Sequence, residues 1–187
     1  VGYGSYGNER WSALATAISQ LEGGETLSFS SGMAAISAVF SILPIGAPVV
    51  ASNQGYSGTM GLLNQHHASG RLEVRFIDIT NTEEVIGAMK GAALLWLESP
   101  TNPCLDLADL PALISAAKKL NIGVGVDNTF ATPLVQQPLS MGADIVMHSV
   151  TKFLAGHSDV VLGSLSISDP ALFKRLAEAR RFNGSIP

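Results

Sequence analysis

Apolar and polar positions change period repeatedly along the chain, and each change marks an element. Trp11, Leu14, Ala15, Ile18 and Leu21 recur at helical spacing, which predicts a helix over 9–21 with Asn8 as its N-cap. Glu22-Gly23-Gly24 ends it. A short strand is predicted at 27–30. The small-residue run 33–40 after Gly32 predicts a helix buried on most sides. Strands are predicted at 48–52, 72–77, 92–98, 122–126, 145–147 and 160–167. The run at 92–98 is almost wholly apolar, as expected of a parallel strand covered on both faces. Helices are predicted at 56–65, 82–90, 109–120 and 169–182. Lys118 and Lys119 suit the carboxyl end of the third of these, and Asp169 caps the last, with Pro170 at its first position.

Strands alternate with helices over most of the chain, so the expected fold is a three-layer α/β/α domain. The 187 residues suit a single domain of ordinary size, and no repeat, low-complexity tract or linker divides them. A 47% hydrophobic content provides for a sizeable core, and only 14% charged residues argues against disorder. The net charge of −4, without a basic block, points away from nucleic acid and from anionic membrane. No apolar run reaches the roughly 18 residues of a spanning helix. No signal-peptide pattern opens the chain. The single cysteine, Cys104, excludes an internal disulfide framework and fits a reducing cytoplasm; as a structural residue it would be a small buried hydrophobe.

The chemistry concentrates where predicted strands end. The apolar run 145–147 opens into His148-Ser149-Val150-Thr151-Lys152-Phe153. Ligands in open α/β sheets bind just outside the carboxyl ends of strands, so Lys152 stands where an amine meets a ligand. Ser149 and Thr151 add hydroxyls able to donate to an anion. Ser30-Ser31-Gly32-Met33 joins a strand to a helix; its free amides form either a phosphate site or a plain turn. Asp127 ends an apolar strand and needs solvent, a cap role or a cationic partner such as a ring nitrogen. Asn102, in a loop stiffened by Pro100 and Pro103, either donates to a phenolate oxygen or forms the turn. Tyr56 opens a helix and either stacks on a planar ligand or packs. Gly2-Tyr3-Gly4-Ser5-Tyr6-Gly7 has dinucleotide-loop spacing but lacks a preceding strand. His66, His67, His148 and His157 lack partners at metal spacing, so no metal is expected.

Taken together these positions resemble the Cys/Met-metabolism family of pyridoxal-phosphate (PLP) enzymes, the cystathionine synthase and lyase group. The matching stretches are Leu21-Glu22-Gly23-Gly24, Ser31-Gly32-Met33-Ala34-Ala35, Tyr56-Ser57-Gly58-Thr59, 98–103, 127–133, Gly142-Ala143-Asp144 and 148–159, in family order. The resemblance implies an aspartate-aminotransferase-like fold with a mostly parallel sheet, of which residues 1–187 would be the large, cofactor-binding domain. It implies that Lys152 bears the Schiff base with PLP, and that the Gly32 and Met33 amides with the Ser149 and Thr151 hydroxyls hold its phosphate. Asp127 would pair with the pyridinium nitrogen, Tyr56 stack on the ring and assist proton transfer, Asn102 contact the phenolic oxygen and Thr129 line the ring. Tyr3 would reach the phosphate of a neighbouring subunit in a homodimer or homotetramer. Elimination or replacement at Cβ or Cγ of sulfur-containing or O-acylated amino acids is the implied chemistry. Gly58, where methionine γ-lyases usually carry cysteine, and Ala155-Gly156-His157-Ser158-Asp159 resemble the cystathionine γ-synthases and γ-lyases most.

Two departures stand against the family pattern. Ser5 occupies the place of an arginine expected beside the partner's phosphate, and Glu9-Arg10 replaces Pro-Thr. The family's C-terminal domain, with its substrate-carboxylate arginine, is not among these residues. A chain that binds cofactor or associates without turnover is therefore the competing expectation.

Overall fold

The computed structural model describes residues 8–187. These form helices α1 (Glu9–Glu22), α2 (Gly32–Ser41), α3 (Ser57–Ala68), α4 (Thr82–Ala88), α5 (Leu110–Lys119), α6 (Thr132–Val135) and α7 (Pro170–Phe182). The strands are β1 (Glu25–Phe29), β2 (Ala47–Ser52), β3 (Leu72–Ile77), β4 (Leu94–Glu98), β5 (Gly123–Asp127), β6 (Ile145–Ser149) and β7 (Gly163–Ile167). They make one sheet in the order β1-β7-β6-β5-β4-β2-β3. The strands from β3 across to β6 pair in parallel, while β7 runs antiparallel to both β6 and β1.

Each face of the sheet carries its own core. Phe29, Ile36, Phe40, Leu63, Trp96, Met147 and Leu176 join α2, α3 and α7 to one face. Val85, Met89, Leu113, Ile114, Val124 and Val126 join α4 and α5 to the other. This is the three-layer α/β/α arrangement expected, and the all-buried β4 shows why its sequence does not alternate. Helix ends follow the caps in the sequence. Asn8, Ser31, Asn81, Asp109 and Asp169 each accept an amide hydrogen from the first turn. Lys118 does more than complement a helix dipole: it pairs with Asp144, whose Oδ2 also accepts from the Val124 amide at 2.8 Å.

Several expectations shift. Leu21 is exposed and Glu22 joins Ile18 as a buried residue of α1, because the carboxylate finds partners inside. β6 continues through His148 and Ser149, since β7 supplies Ser164 and Gly163 as pairing partners. β7 starts at Gly163 instead of 160, because Leu162 bonds back to Thr151 and Val161 is exposed. The short α6 was not expected. Cys104 is exposed, not a buried hydrophobe, with its Sγ 3.6 Å from Gln54 Oε1. Tyr3 and Ser5 lie outside the described residues. Among the described residues no helix is long and apolar enough to cross a membrane.

Gly163 fixes how closely β7 approaches the entry to α2. A Cβ built there would lie 2.2 Å from the Ser31 carbonyl oxygen, backbone that cannot swing aside. Gly163→Ala is expected to destabilise the fold by about 1–3 kcal/mol or more, the usual cost of overpacking. Chemical denaturation measures it; an unchanged midpoint would show that the two backbones are not held in contact.

Candidate active site

The carboxyl ends of β4, β5 and β6, with the chain following β1 and β2, border a cleft of ≈ 290 Å³. Gly32, Met33, Tyr56, Asn102, Asp127, Thr129, Ser149, Thr151 and Lys152 all line it. The site residues expected from sequence that fall among the described residues are thus brought to one place. Glu98 and Phe130 line it too, and neither was singled out. A second hollow of ≈ 570 Å³ shares Phe130, Thr151, Lys152 and Val161 with the first, so Lys152 borders both.

The anion-binding end is built from backbone. Ser31 Oγ accepts from the Ala34 amide at 3.1 Å, which leaves the Gly32 and Met33 amides as free donors at the start of α2. A Cβ on Gly32 would lie 3.1 Å from Ser149 Cβ and 3.3 Å from its Oγ, so the missing side chain keeps the amides beside that hydroxyl. Thr151 stands differently: its Oγ1 donates to the Leu162 carbonyl at 3.2 Å and accepts from the Leu162 amide at 3.0 Å. Its proton must turn before it can reach a ligand.

At the other end stand two acids. Glu98 and Asp127 are paired Cα positions on neighbouring parallel strands, both buried. Asp127 Oδ1 accepts from Thr129 Oγ1 at 2.6 Å and from the Thr129 amide at 3.0 Å. Thr129 Oγ1 in turn accepts from the Ser149 amide at 2.9 Å, which ties β5 to the end of β6. Asp127 Oδ2 has no protein partner among the described residues. Burial pushes the Asp127 carboxyl up, against the Thr129 bonds and the nearby His148. Burial pushes the Glu98 carboxyl up to about 7, and the Asp127 charge adds to the rise against two amide bonds.

A phosphorylated aromatic aldehyde with a basic ring nitrogen fits this arrangement. It has an anion for the α2 amides, a nitrogen for the half-satisfied Asp127 and a carbonyl carbon for the Lys152 amine. The model for Cys/Met metabolism PLP-dependent enzymes matches residues 1–187. The chain belongs to that family. It is 38% identical to the cystathionine beta-lyase MetC of Bacillus subtilis (strain 168), over 98% of this chain and 48% of that protein. It is 39% identical to the cystathionine gamma-lyase of the same organism, over 98% of this chain and 49% of that protein. The cystathionine gamma synthase of Xanthomonas oryzae pv. oryzae, solved in complex with cystathionine, superposes with a TM-score of 0.96 at 35% identity, covering 100% of this chain and 49% of that one. The chain thus spans about half the length of the relatives it matches.

Behind the cleft this family member carries a buried polar network. Glu22 Oε1 lies 2.5 Å from His148 Nε2 and accepts from Asn128 Nδ2 at 2.8 Å. Gln136 Nε2 donates to Asn128 Oδ1 at 2.8 Å and to the Ser99 carbonyl at 2.6 Å. In the sequence Glu22 stands at a helix end and His148 is a histidine without a metal partner, each within a family-like stretch but with no role assigned. They lie 126 residues apart, and no local signal joins them. Among the described residues no group of three or more His, Cys, Asp or Glu side chains is placed to hold a metal ion.

Glu98 gives a pH dependence of unusual sign. Its folded value of about 7 lies above the ordinary 4.5, so the folded state holds the proton more tightly than the unfolded chain. Its contribution to stability is therefore full below 4.5 and is lost as pH rises toward 7. Asp127 shifts in the same direction. Thermal melts of the parent and Glu98→Gln from pH 5 to 8 are expected to diverge, with Glu98→Gln increasingly the more stable of the two. Parallel curves would show that the carboxyl keeps its ordinary value.

Proposed function

We propose that residues 1–187 form the cofactor-binding large domain of a PLP-dependent, transsulfuration-type enzyme. It acts by elimination at Cβ or Cγ, or replacement at Cγ, on sulfur-containing or O-acylated amino acids. The observation that carries this reading is the convergence of the Lys152 amine, the buried Asp127 and the open amides of α2 on one cleft. When bound, PLP supplies an electron sink for negative charge developing beside the substrate's amino group. The relatives named above include a β-lyase, a γ-lyase and a γ-synthase at 35–39% identity, so the chemistry proposed first is what they share. Within it we favour cystathionine γ-synthase or γ-lyase activity, on Gly58 and on Ala155-Gly156-His157-Ser158-Asp159.

The protein's own residues divide the work. Gly32 and Met33 donate their amides to the phosphate, and Ser149 adds its hydroxyl, as does Thr151 once its proton turns from Leu162. Asp127 holds a proton on the ring nitrogen through its Oδ2, while Thr129 fixes Oδ1. Tyr56 covers the ring face and assists proton transfer. Gly58 leaves it room, since a Cβ there would meet the Tyr56 ring at 2.5 Å and Met33 Sδ at 2.9 Å. Asn102 donates to the phenolic oxygen. Lys152 anchors the cofactor and moves protons at the substrate carbons. Tyr3 serves a neighbouring subunit's phosphate in a homodimer or homotetramer. Apolar side chains exposed at Leu134, Val135, Phe153 and Val161 support association. The lone, free Cys104 supports a reducing, cytoplasmic setting.

With PLP added, the protein is expected to show a visible band that borohydride abolishes, leaving the cofactor on the Lys152 peptide. Modification at Lys118 or Lys174 instead would overturn the assignment. Asp127→Asn in the intact enzyme is expected to keep the cofactor attached but lose roughly a hundred-fold or more in kcat, the scale set by removing one preorganised charge-stabilising group. Near-normal turnover by that variant would refute the role. Product analysis with cystathionine and with O-acylated homoserine separates lyase from synthase.

A further inference from the structure

Glu98 is the last residue of β4 and only 7% exposed. Its carboxylate is divided between two loops. Oε2 accepts from the Tyr56 amide at 2.8 Å, and Oε1 accepts from the Asn102 amide at 2.7 Å. Tyr56 stands at the N-cap of α3, which has no side-chain cap of its own, so Glu98 supplies the negative charge that this helix start lacks. Gly55 makes the contact possible, because a Cβ there would lie 3.0 Å from Glu98 Oε2. Both loops wall the cleft.

We propose that Glu98 is a positioning residue that locks the Tyr56 and Asn102 loops into one register, so that cofactor affinity follows the charge on this single carboxylate. The inference rests on the cofactor reading above. Ionised Glu98 accepts two amides at once. Protonation removes the charge that strengthens both bonds, and the hold on each loop loosens. Asp127 from β5 is the charged group that acts on Glu98, and Tyr56, just before α3, and Lys152, after β6, line the same cleft. The end of β2 and the loop after it place the uncharged Ser52, Gln54 and Gly55 around a small hollow that Glu98 also lines. Of these, the Asp127 charge adds to burial in raising Glu98 to about 7, so the lock opens and closes within an accessible pH range. The arrangement trades stability for order: the charged form that joins the loops is the form burial disfavours.

The test uses the whole protein. In its cofactor-free state, amide hydrogen exchange at Tyr56 and Asn102, corrected for intrinsic rate, is expected to slow as pH rises through about 7. In Glu98→Gln at least one of the two amides is expected to exchange fast at every pH. PLP titrations followed by absorbance are expected to show Glu98→Gln weaker by about ten-fold above pH 8, the worth of one hydrogen bond to a charged group. The gap is expected to close below pH 6, where the parent's carboxyl is also neutral. A residue with a merely structural role would give a gap independent of pH. A parent that takes up no PLP overturns the cofactor reading and this proposal with it. A parent that binds, beside a Glu98→Gln that binds equally at every pH, overturns this proposal alone. Should Glu98→Gln fail to fold, the parent's exchange profile decides: a step at both amides supports the lock, and its absence overturns it.

Discussion

Two carboxylates held side by side at the buried ends of neighbouring parallel strands are the constraint around which the site is built. Glu98 and Asp127 are paired Cα positions, so roughly one strand spacing, about 4.8 Å, separates their backbones. Neither can stay charged in such a place without donors. The chain supplies them from the loops that wall the cleft: Tyr56 and Asn102 to Glu98, Thr129 to Asp127. Satisfying the acids and shaping the cleft are therefore the same event. The shortfall is informative as well. Among the described residues Asp127 Oδ2 lacks a protein partner, and a cationic ring nitrogen suits that opening.

The opposite wall depends on what the chain leaves out. Gly32 lets the start of α2 come against Ser149, and Gly163 lets β7 press on the Ser31 carbonyl. Gly58 leaves space for the Tyr56 ring and the Met33 sulfur. A methyl group at any of the three would enter a neighbour's volume, and at Gly163 the neighbour is rigid backbone. Close packing of backbone on backbone is what turns an ordinary helix start into two open amides beside a hydroxyl.

A third layer lies behind both. Glu22, His148, Asn128 and Gln136 join α1, β6 and the chain around α6 through bonds of 2.5–3.0 Å. Glu22 Oε2 and His148 Nδ1 have no partner among the described residues. Such a partly satisfied network costs stability and specifies geometry, since few other arrangements serve the groups that are paired. It also gives Asp127 a histidine neighbour that favours its charged form.

Local periodicity determined a large part of this protein. The strand at 72–77, the capped starts of α1, α4, α5 and α7, and the buried parallel character of β4 follow from side chains close in the chain. The residues resembling a PLP site, among them Lys152, Asp127 and Gly32, were legible because strand ends and helix starts carry recognisable motifs. Pairings between distant segments were not legible. The extension of β6 to Ser149 required β7 beside it, and the burial of Glu22 in place of Leu21 required His148 and Asn128. Glu98 read as the end of an apolar strand and the start of a family-like stretch, with no role of its own, because its two amide donors and its acidic neighbour arrive from other elements. Local sequence records what a residue does to its own backbone. Which charges become neighbours is decided by strand order, and that is a property of the whole packed sheet.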